Sequence, residues 1–233
     1  MDLHMIIMLF FIYSFVGWIV EEIDILVETK KLTYRGFLIG PICPIYGVGS
    51  LLMVLTLSDY VGSPFQIFCA SFIMCSVVEY ITSWVLEKMF NVRWWDYSHM
   101  RFNIEGRIVL RNSFFFGIAG LLLIYYINPF LINILSIVNE TLFTQIEFIL
   151  IGLFVMDLIV SLCILFNLKK MLVLEQVSLK NKITNMLNKD NTVEISKAVR
   201  QKLASISVFH SKIIKSFPGF KFVNPIKRIR KKK

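Results

Sequence analysis

The residues best placed to do chemistry are the ionisable ones stranded inside apolar runs. Glu79 lies within Phe65–Leu86, Asp157 in the middle of Phe148–Leu168, and Glu21 and Glu22 near the end of Met5–Leu26. A charged side chain at the centre of a membrane helix costs ~2.5–3.5 kcal/mol on insertion scales, so its presence there signals function by default. Arg107 and Arg111, four residues apart, would share one face of a helix at the depth of these acids. Two roles fit. The charges either pair to fix helix register, or Glu21, Glu79, Arg107 and Asp157 line a polar pathway that opens to the cytoplasm and binds a charged group. Glu79 and Asp157 weigh most, because Glu21 and Glu22 are close enough to the interface to reach water.

Two further constellations stand out. Arg93-Trp94-Trp95-Asp96-Tyr97-Ser98 interleaves aromatics with charge. Aromatics at a membrane surface commonly serve as belt anchors; here Arg93, Trp94, Trp95, Asp96 and Tyr97 could instead clamp a lipid headgroup or a partner loop. The stretch 36–49 carries Gly36, Gly40, Pro41, Pro44, Gly47 and Gly49. Glycine and proline cost helix stability. Gly40, Pro41, Pro44 and Gly47 therefore mark a helix break, read either as a kink that lets a neighbour approach closely or as a discontinuous helix at a substrate pathway. No catalytic constellation accompanies these groups. The sequence lacks a phosphate-binding G-x-x-x-x-G-K-[ST], an H-E-x-x-H and a G-x-S-x-G. Its four cysteines are scattered through apolar runs, so no metal site, disulfide framework or cofactor is expected.

The elements that must position these groups are membrane helices. Hydrophobic residues make up 56% of the 233 residues and charged ones 18%, below the roughly 25% of soluble domains. Five stretches approach the ~20 apolar residues a membrane helix needs: 5–26, 37–57, 65–86, 108–127 and 148–168. Phe130–Phe143 is apolar but interrupted by Asn133 and Asn139, and is expected to lie at the outer interface or re-enter the membrane. Lys30, Lys31 and Arg35 fill the first loop, and Lys88, Arg93, Arg101 and Arg107 the third; the second and fourth have no basic residue. The positive-inside rule then sets the N-terminus outside and the tail inside. A weak duplication links Gly17-Trp18-Ile19-Val20-Glu21 to Ser83-Trp84-Val85-Leu86-Glu87, and the segment at Tyr46-Gly47 to that at Phe116-Gly117. It suggests two related helical hairpins.

Of 25 Lys and Arg, 17 lie from Lys169 onward. Within this tail Ile195, Val199, Leu203, Ile206, Phe209, Ile213 and Phe217 recur at steps of three or four, so Val193–Phe217 reads as an amphipathic helix. Its basic end suits the anionic lipids of the inner leaflet, worth about 1 kcal/mol per residue, or a cytoplasmic partner. Nucleic acid is not implied. The fold expected is therefore all-α: a polytopic helical bundle over 1–168 of about five transmembrane helices, with a cytoplasmic amphipathic and polybasic tail over 169–233.

The runs Arg35-Gly36-Phe37-Leu38-Ile39-Gly40-Pro41-Ile42-Cys43-Pro44-Ile45-Tyr46-Gly47, Leu86-Glu87-Lys88-Met89-Phe90, Arg93-Trp94-Trp95-Asp96-Tyr97-Ser98 and Asn103-Ile104-Glu105-Gly106-Arg107-Ile108 resemble the bacterial ABC-transporter permease family of type IV (CmpB-like). The similarity covers about Phe10–Phe130, with echoes at Asp157–Ser161 and Ser216-Phe217-Pro218. The resemblance implies a permease-like transport component of the bacterial cell membrane that is not itself an enzyme. It would work in the lipid bilayer through self-association or a separate ATPase subunit. Arg111 departs from the family pattern, where an uncharged residue is usual. An inner-leaflet headgroup-binding protein or membrane enzyme, and a scaffold or sensor acting through the tail, are the alternatives the residues leave open.

Overall fold

A computed structural model describes residues 1–30, 37–90, 92–187 and 221–222. Its first helix, α1 (Leu3–Thr29), starts at Asp2, whose carboxylate accepts from the Met5 amide, and ends at Lys30 in the left-handed region. Then follow α2 (Pro44–Leu57), α3 (Pro64–Phe90), β1 (Val92–Arg93), β2 (Asn103–Ile104), β3 (Ile108–Val109) and α4 (Leu110–Leu122). A π turn over Leu123–Ile127 runs into α5 (Asn128–Leu135), and α6 (Glu140–Leu187) and β4 (Lys221–Phe222) complete the order. The chain is a helical membrane protein.

Four helical runs among the described residues are long and apolar enough to cross a membrane: Leu3–Asp24, Pro64–Phe90, Leu110–Leu135 and Glu140–Asn167. The second expected span is not a full helix. At 14 residues α2 is about 21 Å long, short of the ~30 Å hydrocarbon core. The preceding Phe37–Cys43 is bent and non-helical. Pro41 and Pro44 account for this, since each lacks an N–H and pushes the residue before it out of the helical region. Pro44 itself fits at the first turn of α2, where a missing donor costs nothing.

The stretch Phe130–Phe143, expected to lie at the outer interface or re-enter the membrane, is divided: it takes in the end of α5, a turn over 136–139 and the start of α6. Pro129 is accommodated at the start of α5, directly after the π turn. Asn128 beside it is buried and accepts a 2.8 Å hydrogen bond from the Tyr13 hydroxyl of α1. Residues 110–135 thus form one helical run long and apolar enough to cross, and the next begins at Glu140, eight residues before the expected Phe148.

Small residues set the packing. Gly47 of α2 lies directly against Ser14 and Phe10 of α1, and Gly17 against Tyr46. In the second pair, Gly117 and Gly120 of α4 face Phe68 and Ser71 of α3; a Cβ on Gly117 would sit 2.5 Å from the Phe68 ring. Both hairpins bring backbones together through glycine, as membrane helices commonly do. Their registers differ, however: the repeat would match Ser14 to Tyr80, whereas Gly117 meets Phe68. Leu9, Tyr13, Met53, Val54, Leu57, Ile67, Leu123 and Ile124 form the apolar core. Helix α6 touches the bundle at separate points and only 6% of its spanning window is buried, so most of its surface is left to lipid. It continues to Leu187, well beyond the expected end at Leu168. The amphipathic segment Val193–Phe217 lies outside the described residues. Beyond it, β4 pairs antiparallel with β1, Val92 opposite Phe222 and Arg93 opposite Lys221.

Candidate functional site

The segment joining α3 to α4 is ordered by its own polar groups. Strands β2 and β3 pair Asn103 with Val109 and Ile104 with Ile108. The Arg107 amide donates to Ile104 O at 2.9 Å, with Glu105 (φ 52°) and Gly106 (φ 69°) at the turn. Both central residues of this turn have positive φ, the pattern of type I′. Gly106 could not be replaced freely, because a Cβ would lie 2.6 Å from Asp96 Oδ1. The carboxylate of Asp96 accepts from the Ser98 amide at 2.9 Å, and the Asn103 side chain accepts from Gly106 N at 2.9 Å.

Beneath this hairpin sits a shared ion pair. Glu87 Oε2, near the end of α3, accepts at 2.8 Å from both Arg93 Nε and Arg107 Nη2. Arg107 is 5% exposed; it also donates to Ser83 Oγ at 3.2 Å and to Glu105 Oε2 at 3.4 Å, and lies over the Tyr80 ring. Arg93 donates further to the Glu105 carbonyl at 3.0 Å. The Tyr80 hydroxyl donates to Glu105 Oε2 at 2.9 Å. That bond first, and Arg107 second, hold the Glu105 carboxyl below its ordinary range. With both guanidiniums engaged by carboxylates, this cluster is built to lock the hairpin onto α3.

A second group lies deeper. Glu79, 7% exposed on α3, accepts at 3.3 Å from the Tyr97 hydroxyl through Oε1, while its buried Oε2 has no hydrogen-bond partner among the described residues. Glu21 of α1 is within its electrostatic reach and accepts a 2.7 Å bond from the Tyr46 hydroxyl of α2. Thus α1, α2, α3 and the hairpin segment each send one polar side chain to this spot.

The acid of α6 does something else. Asp157 accepts from the backbone amides of Ile39 (3.0 Å, Oδ1) and Gly40 (2.8 Å, Oδ2), and Ser161 Oγ bridges Asp157 and the Ile39 amide. Those amides belong to the non-helical run ahead of α2, where no helical carbonyl serves them. Gly40 is required by this approach, since a Cβ there would lie 2.8 Å from Asp157 Oδ2.

The structure therefore distributes the residues singled out in the sequence over three places. Glu21 and Glu79 come together. Arg107 joins Arg93, at whose other side Asp96 Oδ1 lies 4.0 Å away. Asp157 closes on the backbone at Ile39 and Gly40 and on Ser161 Oγ; among the described residues it shares no hydrogen bond with Glu79. Arg111 does not share the Arg107 environment: it is exposed in the first turn of α4, over the Phe115 ring. Trp94 is buried at 6% against Phe90 and Phe37, and Trp95 donates to the Arg107 carbonyl at 2.8 Å. Both brace the interior; Phe102 and Ile104 are the segment's exposed apolar residues among those described. Sequence reading passed over Glu87, Ser83, Tyr46 and Ser161. A signal existed for the first two, because Ser76, Glu79, Ser83 and Glu87 follow at steps of three and four and are all buried, a polar stripe in an apolar helix.

No curated protein and no solved structure matches the chain. The family model described as "Putative ABC-transporter type IV" matches residues 8–162, which takes in most of α1, all of α2 to α5, the hairpin and the Asp157–Ser161 clamp. Extending over about two-thirds of the sequence, that match assigns the chain to its family: it belongs to the type IV family of putative ABC-transporter proteins.

Proposed function

We propose that the protein is the permease-like membrane subunit of a transport system, energised by a separate ATPase or assembled from several copies. The observation that carries this reading is the broken crossing. Non-helical backbone at membrane depth is tolerated only where protein buries it or where it lines a cavity, and discontinuous helices are a recurrent way of building a substrate site. Here the run Phe37–Cys43 is held by Asp157 and Ser161 from α6. Glu21 and Glu79 add acidic groups inside the bundle. The family description, an ABC-transporter, points the same way. In this reading Glu21, Glu79 and Asp157 border the path, and Arg93 and Arg107 fix the hairpin at its cytoplasmic mouth. The N-terminus is outside and the tail inside a bacterial cell membrane, the tail resting on anionic lipid. Headgroup capture by Arg93 and Arg107 is less favoured, because Glu87 and Glu105 already occupy both guanidiniums.

The test is co-purification from native membranes followed by reconstitution. An ATP-hydrolysing partner should copurify, and vesicles holding the complex should move solute only with ATP. Asp157→Ala should abolish that movement while leaving the complex intact. Absence of any such partner, together with ATP-independent behaviour in vesicles, would sink the reading.

A further inference from the structure

We infer that Glu79 is an exchangeable proton-binding site, reached from the hairpin side of the bundle through Tyr97. The inference deepens the transport reading by naming the ion that the acidic spot inside the bundle takes. Glu79 is 7% exposed, its Oε1 accepts only the Tyr97 hydroxyl, and its Oε2 is buried without a hydrogen-bond partner among the described residues. A bare carboxylate in that setting is costly and must be matched by a positive charge or a proton. Among the described residues, the groups facing it are acids and weak acids. Glu21 comes from α1, Tyr97 from the hairpin segment and Cys75 from the preceding turn of α3, with Tyr46 of α2 on Glu21. Arg107, one turn further along α3 at Ser83, is engaged by Ser83, Glu87 and Glu105. Glu21 brings a second carboxyl to the same spot.

The ligand set decides which cation is taken. Hard metal ions need six or more oxygen ligands. The described residues hold no group of three or more His, Cys, Asp or Glu able to bind a metal. Two carboxyls and two phenols suffice for a proton. It binds at Oε2, while Oε1 keeps its bond from Tyr97. On release the carboxyl turns its O–H to the Tyr97 oxygen, the phenol gives its own proton to water on the hairpin side, where Tyr97 is partly exposed, and takes the carboxyl's; the neutral phenol then donates to the carboxylate again. No electrons or covalent partners are involved.

Infrared difference spectroscopy of the full chain in lipid nanodiscs tests this without any transport assay. Wild type should show a protonated-carboxyl C=O band at neutral pH that shifts in D2O. The near-isosteric Glu79→Gln should lose that band, Asp157→Asn should keep it, and Tyr97→Phe should keep it with slower deuterium exchange. The inference is overturned if wild type lacks the band, if the band survives Glu79→Gln, or if adding sodium or potassium at fixed pH removes it, which would make a metal cation the ligand. Exchange unaffected in Tyr97→Phe would overturn the route. A failed reconstitution would leave these bands untouched, so the two readings fail separately.

Discussion

Glu87 serves two arginines with one oxygen, and this makes it the residue whose loss should be felt most at the loop end of the bundle. Its side chain and that of Arg107 are 7% and 6% exposed. Removing one member of a buried pair strands the other charge, at a cost of about 3–5 kcal/mol. Glu87→Ala should therefore lower the unfolding temperature in detergent by a wide margin. Arg111→Ala, at an exposed position, should leave it nearly unchanged; equal effects would contradict the network. Glu105 offers a milder, pH-dependent probe. Its carboxyl is held below the ordinary glutamate range by Tyr80 and then Arg107. The stability it contributes is complete above the unfolded-state value and is lost as pH falls through the lower folded one. Unfolding midpoints should drop on acidification less steeply in Glu105→Gln than in wild type. Because the side chain is exposed, added salt should shrink the difference. Identical pH profiles would remove Glu105 from the account.

At the scale of the elements, the crossings were largely legible because long apolar runs are their own signal, and the proline pair at Pro41 and Pro44 announced where one would fail. Pattern alone could not say whether those prolines kink a helix or end it. The answer depends on Asp157 and Ser161, more than a hundred residues away, which accept and bridge the freed amides. Pattern gave Asp157 a place beside Glu79 in the polar pathway, but could not show that it holds the Ile39 and Gly40 amides and accepts from Ser161 Oγ. The fourth span, expected over 108–127, runs further: Asn128 and Pro129 are absorbed by a π turn and a buried bond to Tyr13. Glycines in the helix pairs provide the test at this level. Gly120 lies in direct contact with Ser71, so Gly120→Leu should force α3 and α4 apart and destabilise the fold by about 1–3 kcal/mol as overpacking does. Gly152, with open space around it, should accept leucine without loss in the same assay.

The whole molecule crosses the membrane an odd number of times only if the broken segment completes its passage. Helix α2 supplies about 21 Å. Seven residues of bent chain, Phe37–Cys43, reach at most about 25 Å more. Together they exceed the ~30 Å hydrocarbon core, so length permits the passage. Reporters fused at the two ends should then lie on opposite sides, the N-terminal one outside, in agreement with the alternation of basic loops. Reporters on the same side would show that α2 re-enters and returns. Charge alternation supplies that expectation, whereas the ion-pair lock under the hairpin was not legible, since it depends on which face of α3 turns inward.

The claim on which the rest depends is that Asp157 holds non-helical backbone inside the bundle. Hydrogen exchange of the full chain in nanodiscs, resolved at Ile39 and Gly40, measures it directly. Both amides should be protected in wild type and should exchange much faster in Asp157→Ala, with the amides of α1 unchanged. Equal exchange at Ile39 and Gly40 in the two proteins would contradict the account.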